Sequence, residues 1–147
     1  MTDRYLFERE IASVKRTPLD FTTPVAIGKR INDDFEQLHF GNGYDHNLVL
    51  NQGNDSLNFA AEVYEPVTGR KMDVYTTEPG IQFYSGNFLD KTDIGKNHVE
   101  YKTRSAFCLE TQHFPDSPNH PDFPSVVLNP KEKYHQKTIY KFSVIKI

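Results

Sequence analysis

The most constraining stretch lies mid-chain, where Leu57, Phe59, Ala61 and Val63 alternate with Asn58, Ala60, Glu62 and Tyr64. A two-residue period puts every second side chain on one face, so the run reads as a half-buried β-strand. Thr68-Gly69 then turns the chain, and Met72, Val74 and Thr76 repeat the alternation on the way back. A hairpin of this kind needs a further layer to cover its apolar face. The rest of the chain offers more short strands: Glu10 to Val14, Asn47 to Leu50, Ile81 to Tyr84 after the Pro79-Gly80 turn, and Ser105 to Thr111. Tyr134, Thr138, Tyr140, Phe142 and Val144 share one face of a long strand that ends a sheet.

Helical spacing is scarce. Ile27, Ile31, Phe35 and Leu38 predict one short amphipathic helix. Pro115, Pro118, Pro121 and Pro124 recur every third residue and predict an extended, polyproline II-like crossing. With 8 Gly, 9 Pro, 8 Tyr and 11 Phe, the composition suits a turn-rich all-β domain. The expected architecture is an antiparallel β-sandwich with one short helix. At 147 residues the chain reads as a single domain over 1–147, long enough to bury a core.

Several functions are disfavoured. The net charge is −3, from 17 basic and 20 acidic residues without a basic cluster, which argues against nucleic acid and anionic membranes. No apolar run approaches a membrane span and no signal peptide opens the chain, so the expectation is a cytoplasmic protein. Cys108 is the only cysteine, which excludes an internal disulfide, and it is expected as a packed core thiol. No cluster has metal-ligand spacing, and neither a phosphate loop nor a nucleophile elbow occurs, so no metal and no cofactor are expected.

One carboxylate stands out. Glu110 sits in a strand-like run flanked by Ala106, Cys108, Thr111 and Phe114. On that strand it lies beside Cys108 and Gln112, while His113 points the other way. Two readings fit: a carboxylate on the solvent face of a sheet, or one that is paired and used. Asp45, after the loop residues Gly41-Asn42-Gly43, reads by itself as a turn cap. Phe83, Tyr84, Phe88 and Phe114 read first as core packing.

The surrounding residues sharpen this. Leu109-Glu110-Thr111-Gln112, Phe114-Pro115-Asp116 and Asn119-His120-Pro121-Asp122-Phe123-Pro124 closely resemble the C-terminal signature of the aldose 1-epimerases, or galactose mutarotases. Pro79 to Asp90 and Gly43-Tyr44-Asp45-His46-Asn47 resemble two further blocks of that family, in the same order. The resemblance runs from about Ile11 to Val144, and the family's N-terminal half has no counterpart. It implies part of a mutarotase-like supersandwich that interconverts the anomers of an aldohexose. Glu110 would be the general base, with Asp45 and Gln82 binding sugar hydroxyls. The family's acid is a histidine from an upstream block, and none of the six histidines here replaces it by motif. The resemblance therefore leaves three alternatives: an enzyme whose missing half was lost or comes from a separate chain, a non-catalytic carbohydrate-binding module derived from the same fold, or a structural β-domain appended to a carbohydrate enzyme. A sandwich built for a longer chain is expected to expose an apolar face, and so to self-associate or pair with the missing half. Lys91, His98 and Lys131 stand where the family commonly has turn glycines, so either their backbone is left-handed at a cost or the turns are remodelled.

Overall fold

The computed structural model describes residues 4–7, 10–51 and 56–146. In chain order these form β1 (Arg4–Phe7), β2 (Glu10–Ser13), α1 (Glu36–Gly41), β3 (Asp45–Val49), β4 (Asn58–Tyr64), β5 (Arg70–Thr76), β6 (Gly80–Tyr84), β7 (Cys108–Gln112) and β8 (Thr138–Val144). They assemble into a five-stranded sheet ordered β2-β1-β3-β6-β7 and a three-stranded sheet ordered β4-β5-β8. Every pairing is antiparallel. The expected sandwich is present: Leu48, Ile81 and Phe83 of the larger sheet share one core cluster with Ala60 and Val74 of the smaller. Hydroxyls also bridge the layers, with Thr138 Oγ1 at 2.5 Å from Thr111 Oγ1 and 3.1 Å from Thr76 Oγ1.

The β4–β5 hairpin forms where the alternation places it. Its turn requires glycine at Gly69, where φ is +72° and a Cβ would lie 2.2 Å from the Ile145 carbonyl oxygen. A bulge between Phe59 and Ala61 breaks the strict alternation, so Ala60 becomes the buried residue and Phe59 turns outward. At one end of the core Tyr44 stacks on Phe83 at 5.1 Å, and Phe21 meets both rings edge-on.

The predicted helix is shorter than its spacing. Ile27–Lys29 form a single 3₁₀ turn, and α1 begins only at Glu36. Asn32, Asp33 and Asp34 occupy turns instead, as their competing side-chain hydrogen bonding favours. Ile31 and Leu38 are nevertheless both buried. The last strand of the larger sheet starts at Cys108 rather than Ser105, because Ser105 closes a turn onto the Lys102 carbonyl at 2.9 Å. The crossing after β7 is not polyproline II. Ser117–Asn119 make a 3₁₀ turn, held by the Ser117 hydroxyl donating to the Phe114 carbonyl at 2.6 Å.

One face of the smaller sheet is left open. Met72, Val74 and Thr76 lie opposite Phe142, Tyr140 and Thr138 on β8, so all six share a face. Val74 and Thr76 are fully buried, yet Phe142 is 74% exposed. The larger sheet reaches this face as far as Tyr140, whose hydroxyl donates to the Leu109 carbonyl at 2.7 Å.

Candidate functional site

The polar face of the larger sheet is set by register. Asp45 pairs with Tyr84, Asn47 with Gln82, Gln82 with Glu110, and Gly80 with Gln112. Because side chains alternate, Asp45, Asn47, Gln82, Glu110 and Gln112 project from one face while Leu48, Ile81, Phe83 and Leu109 project from the other. The Gln82 side-chain amide donates to Asp45 Oδ1 at 2.8 Å. Gln112 Nε2 donates to Asn47 Oδ1 at 3.4 Å. Asp45 thus lies on a strand, not in the loop before it.

His46 faces the core side and fixes Asp45 from behind. Its Nδ1 accepts the Asp45 backbone N–H at 3.0 Å, and its Nε2 lies 3.2 Å from the Gln37 carbonyl of α1. With Nδ1 accepting, the proton sits on Nε2 and is donated to Gln37. Burial lowers the His46 pKa, against the opposing pull of the Gln37 carbonyl and the Asp45 carboxylate. A ring so engaged is neutral and has no free donor for a ligand.

A cleft of about 340 Å³ opens beside these residues, lined by Asp45, Asn47, Gln82, Gln37, Phe40 and Phe88 among others. Phe40 comes from the end of α1 and Phe88 from the β6–β7 loop. The loop is pinned: the Phe88 N–H donates to the Tyr84 hydroxyl at 3.0 Å, with the two rings nearly parallel at 6.4 Å. Asn87 donates to the carbonyls of Gly41 and Tyr44 at 2.8 and 2.9 Å. Gly43 makes room for that amide, since a Cβ there would meet Asn87 Oδ1 at 2.4 Å. A larger cleft of about 510 Å³ lies on the apolar side, lined by Leu48, Val63, Ile81, Phe83 and Leu109 among others.

Glu110 is exposed on β7, an edge strand, and does not line the smaller cleft. Cys108 beside it is exposed as well, so the expected core thiol is a surface one. Partial burial and then the Glu110 carboxylate raise the Cys108 pKa, so its thiol stays protonated. Two other histidines are engaged elsewhere: His113 Nδ1 pairs with buried Glu78 at 2.7 Å, and His120 pairs with Asp116 at 3.2 Å while stacking on Phe123. Among the described residues no group of three His, Cys, Asp or Glu is placed to hold a metal ion. Among them, too, no helix is long and apolar enough to cross a membrane.

Asn47, Gln37 and Phe40 were not among the sequence candidates. Asn47 was within reach, because a two-residue period places it on the face of Asp45. Gln37 and Phe40 enter through the packing of α1 against β3, which no local pattern encodes.

The sequence model described as aldose 1-epimerase matches residues 2–141. The galactose mutarotase of Homo sapiens is 48% identical over 135 residues, which is 92% of this chain and 38% of that protein. The aldose 1-epimerase of Escherichia coli (strain K12) is 37% identical over 134 residues, covering 90% and 38% respectively. The crystal structure of the GalM/aldose epimerase homologue from C. elegans superposes with a TM-score of 0.84 at 27% identity, over 99% of this chain and 44% of that one. The chain therefore spans well under half the length of the relatives it matches. An antiparallel sandwich of this topology and a sequence match along nearly the whole chain lead to one assignment: the chain belongs to the aldose 1-epimerase family.

Proposed function

We propose that this chain carries the base and part of the sugar-binding face of a mutarotase acting on hexoses such as galactose and glucose. Mutarotation opens a cyclic hemiacetal and recloses it with inverted configuration at C1. A base removes the O1 proton, and an acid protonates the ring oxygen. Glu110 is the base in this reading, and its carboxylate is exposed on β7. Asp45 and Gln82 bind sugar hydroxyls: a carboxylate accepts from them, and an amide donates as well as accepts. The single observation that carries the reading is the register that places Asp45, Gln82 and Glu110 on one sheet face, with Gln82 bonded to Asp45.

In this reading the acid is supplied from outside these residues: none of the six histidines matches the family's acid by motif, and His46, His113 and His120 are held by other partners. The proposed source of the acid is the N-terminal half of a mutarotase, whether joined to these residues or carried by a separate chain, in the cytoplasm. A positioned acid or base is worth about 10²–10⁴-fold in rate, so the lone chain accelerates anomer interconversion little. Polarimetry on freshly dissolved α-anomer tests this. Activity should appear when the N-terminal half of a related mutarotase is added, and Glu110→Gln should abolish it. Enzyme-like turnover by the lone chain would overturn the need for an external acid. Failure of Glu110→Gln to affect the reconstituted activity would overturn the base assignment. The second reading, a non-catalytic carbohydrate-binding module, is favoured by the cleft lying beside Asp45 and Gln82 but not beside Glu110. Sugar affinity without turnover, even after reconstitution, would select it.

A further inference from the structure

Three polar atoms at the cleft are buried without a hydrogen-bond partner among the described residues: Asn47 Nδ2, Gln37 Nε2 and Gln82 Oε1. All three residues line the same cleft. Asn47 is 3% exposed and Gln37 8% exposed, so bulk water gives them little compensation. An unsatisfied buried donor or acceptor is costly, because the water it gave up has not been replaced. Three at one cleft are better understood as a prepared site than as three separate defects.

The orientation of these groups follows from their neighbours. Gln82 spends its amide N–H on Asp45, which leaves Oε1 as a free acceptor. Asn47 receives Gln112 at Oδ1, which leaves its Nδ2 hydrogens free to donate. Gly80 holds the Asn47 amide in place: a Cβ there would fall 2.7 Å from Oδ1 and 3.0 Å from Nδ2. The glycine thus makes the space the amide fills. The cleft therefore presents donors from Asn47 and Gln37 and acceptors from Asp45 and Gln82. Each hydroxyl of a vicinal diol both donates and accepts, so adjacent hydroxyls of a pyranose match such an array. Phe40 and Phe88, 67% and 63% exposed at the rim, add apolar surface for the ring's C–H face.

We propose that Asn47 and Gln37 are sugar-hydroxyl donors of this cleft, binding a vicinal diol of the aldose jointly with Asp45 and Gln82. The proposal rests on the sugar-site reading above and deepens it. Side-chain amide spectra of the ¹⁵N-labelled 147-residue chain, titrated with D-galactose, test it directly. The NH₂ signals of Asn47 and Gln37 should move with the same saturation curve as that of Gln82. Asn47→Ala should weaken binding about 3- to 10-fold, as expected for one neutral hydrogen bond. Deoxygenating the contacted hydroxyl should then cost affinity in the wild type but not in Asn47→Ala. If Gln82 shifts and Asp45→Ala abolishes binding while Asn47 and Gln37 stay silent, the proposal fails and the sugar site stands. If no aldose moves any of these signals, both fail. The spectral arm needs no substitution, so a poorly folding Asn47→Ala leaves the test intact.

Discussion

The uncovered face of β8 makes an energetic prediction that separates it from the closed part of the same sandwich. Phe83 and Phe142 both occupy inward-facing strand positions, but Phe83 is buried and Phe142 is 74% exposed. Removing a buried phenylalanine side chain costs about 3–5 kcal/mol, through lost transfer energy plus a cavity. Full burial of such a side chain is worth about 1.5–3 kcal/mol, so the covered quarter of Phe142 contributes about 0.4–0.8 kcal/mol. No cavity forms on an open face. Phe142→Thr, which keeps strand propensity, should therefore lower stability by less than about 1 kcal/mol, whereas Phe83→Ala should cost several. Urea unfolding followed by circular dichroism measures both. Phe142, Val144 and Ile145 are exposed apolar residues close together at the end of β8, as expected of a surface awaiting a partner. Sedimentation velocity should show self-association of the wild type that falls in Phe142→Thr. A loss of 3 kcal/mol or more for Phe142→Thr would refute the open-face reasoning, because it would require Phe142 to be covered.

Lys91 and Lys131 both sit at φ +75°, so each is left-handed rather than part of a remodelled turn. A left-handed L-residue costs about 1–2 kcal/mol. Glycine's extra unfolded-state freedom offsets about 0.4–1 kcal/mol of that. Lys91→Gly and Lys131→Gly should each raise the urea midpoint, and an unchanged or lowered midpoint would contradict the conformational assignment. His46 titrates with a lowered pKa in the folded chain, so the unfolded chain binds its proton first. Its contribution is complete above the unfolded value of about 6.5 and is lost as pH falls below it. Stability should decline from pH 6.5 downward in the wild type and more shallowly in His46→Asn, and equal slopes would show that His46 is not the titrating group.

Much of the fold was legible because it rests on period two and on turn residues. Leu57 to Thr76 predicts its own hairpin, and the Pro79-Gly80 turn delivers β6 where expected. The helix was overextended because Ile31 is a core residue held by turns, and apolar spacing alone cannot tell a helix from a loop that packs inward. Cys108 was misplaced because strand alternation puts it on the exposed polar face with Glu110, while Leu109 and Thr111 meet the other layer. At the site, the blocks around Asp45, Gln82 and Glu110 were visible as motifs. The cleft was not, because α1 supplies Gln37 and Phe40 through a contact that depends on where the helix stops.

The polar face owes its geometry to the apolar one. A one-residue slip of β6 would turn Ile81 and Phe83 toward solvent and bring Gln82 inside. Exposing those two side chains would cost about 1.5–3 kcal/mol each, before the loss of the Tyr44 stacking on Phe83. The Gln82–Asp45 bond, an amide on a carboxylate, is worth about 1.5–3 kcal/mol at most. The core term is the larger, so burial of Ile81 and Phe83 sets the register, and Gln82 falls opposite both Asn47 and Glu110 as a consequence. The site can then keep unsatisfied amides at its cleft without endangering the strand alignment. Asp45, Asn47, Gln82 and Glu110 are thus free to vary without disturbing the strand alignment, since the residues between them hold the sheet together.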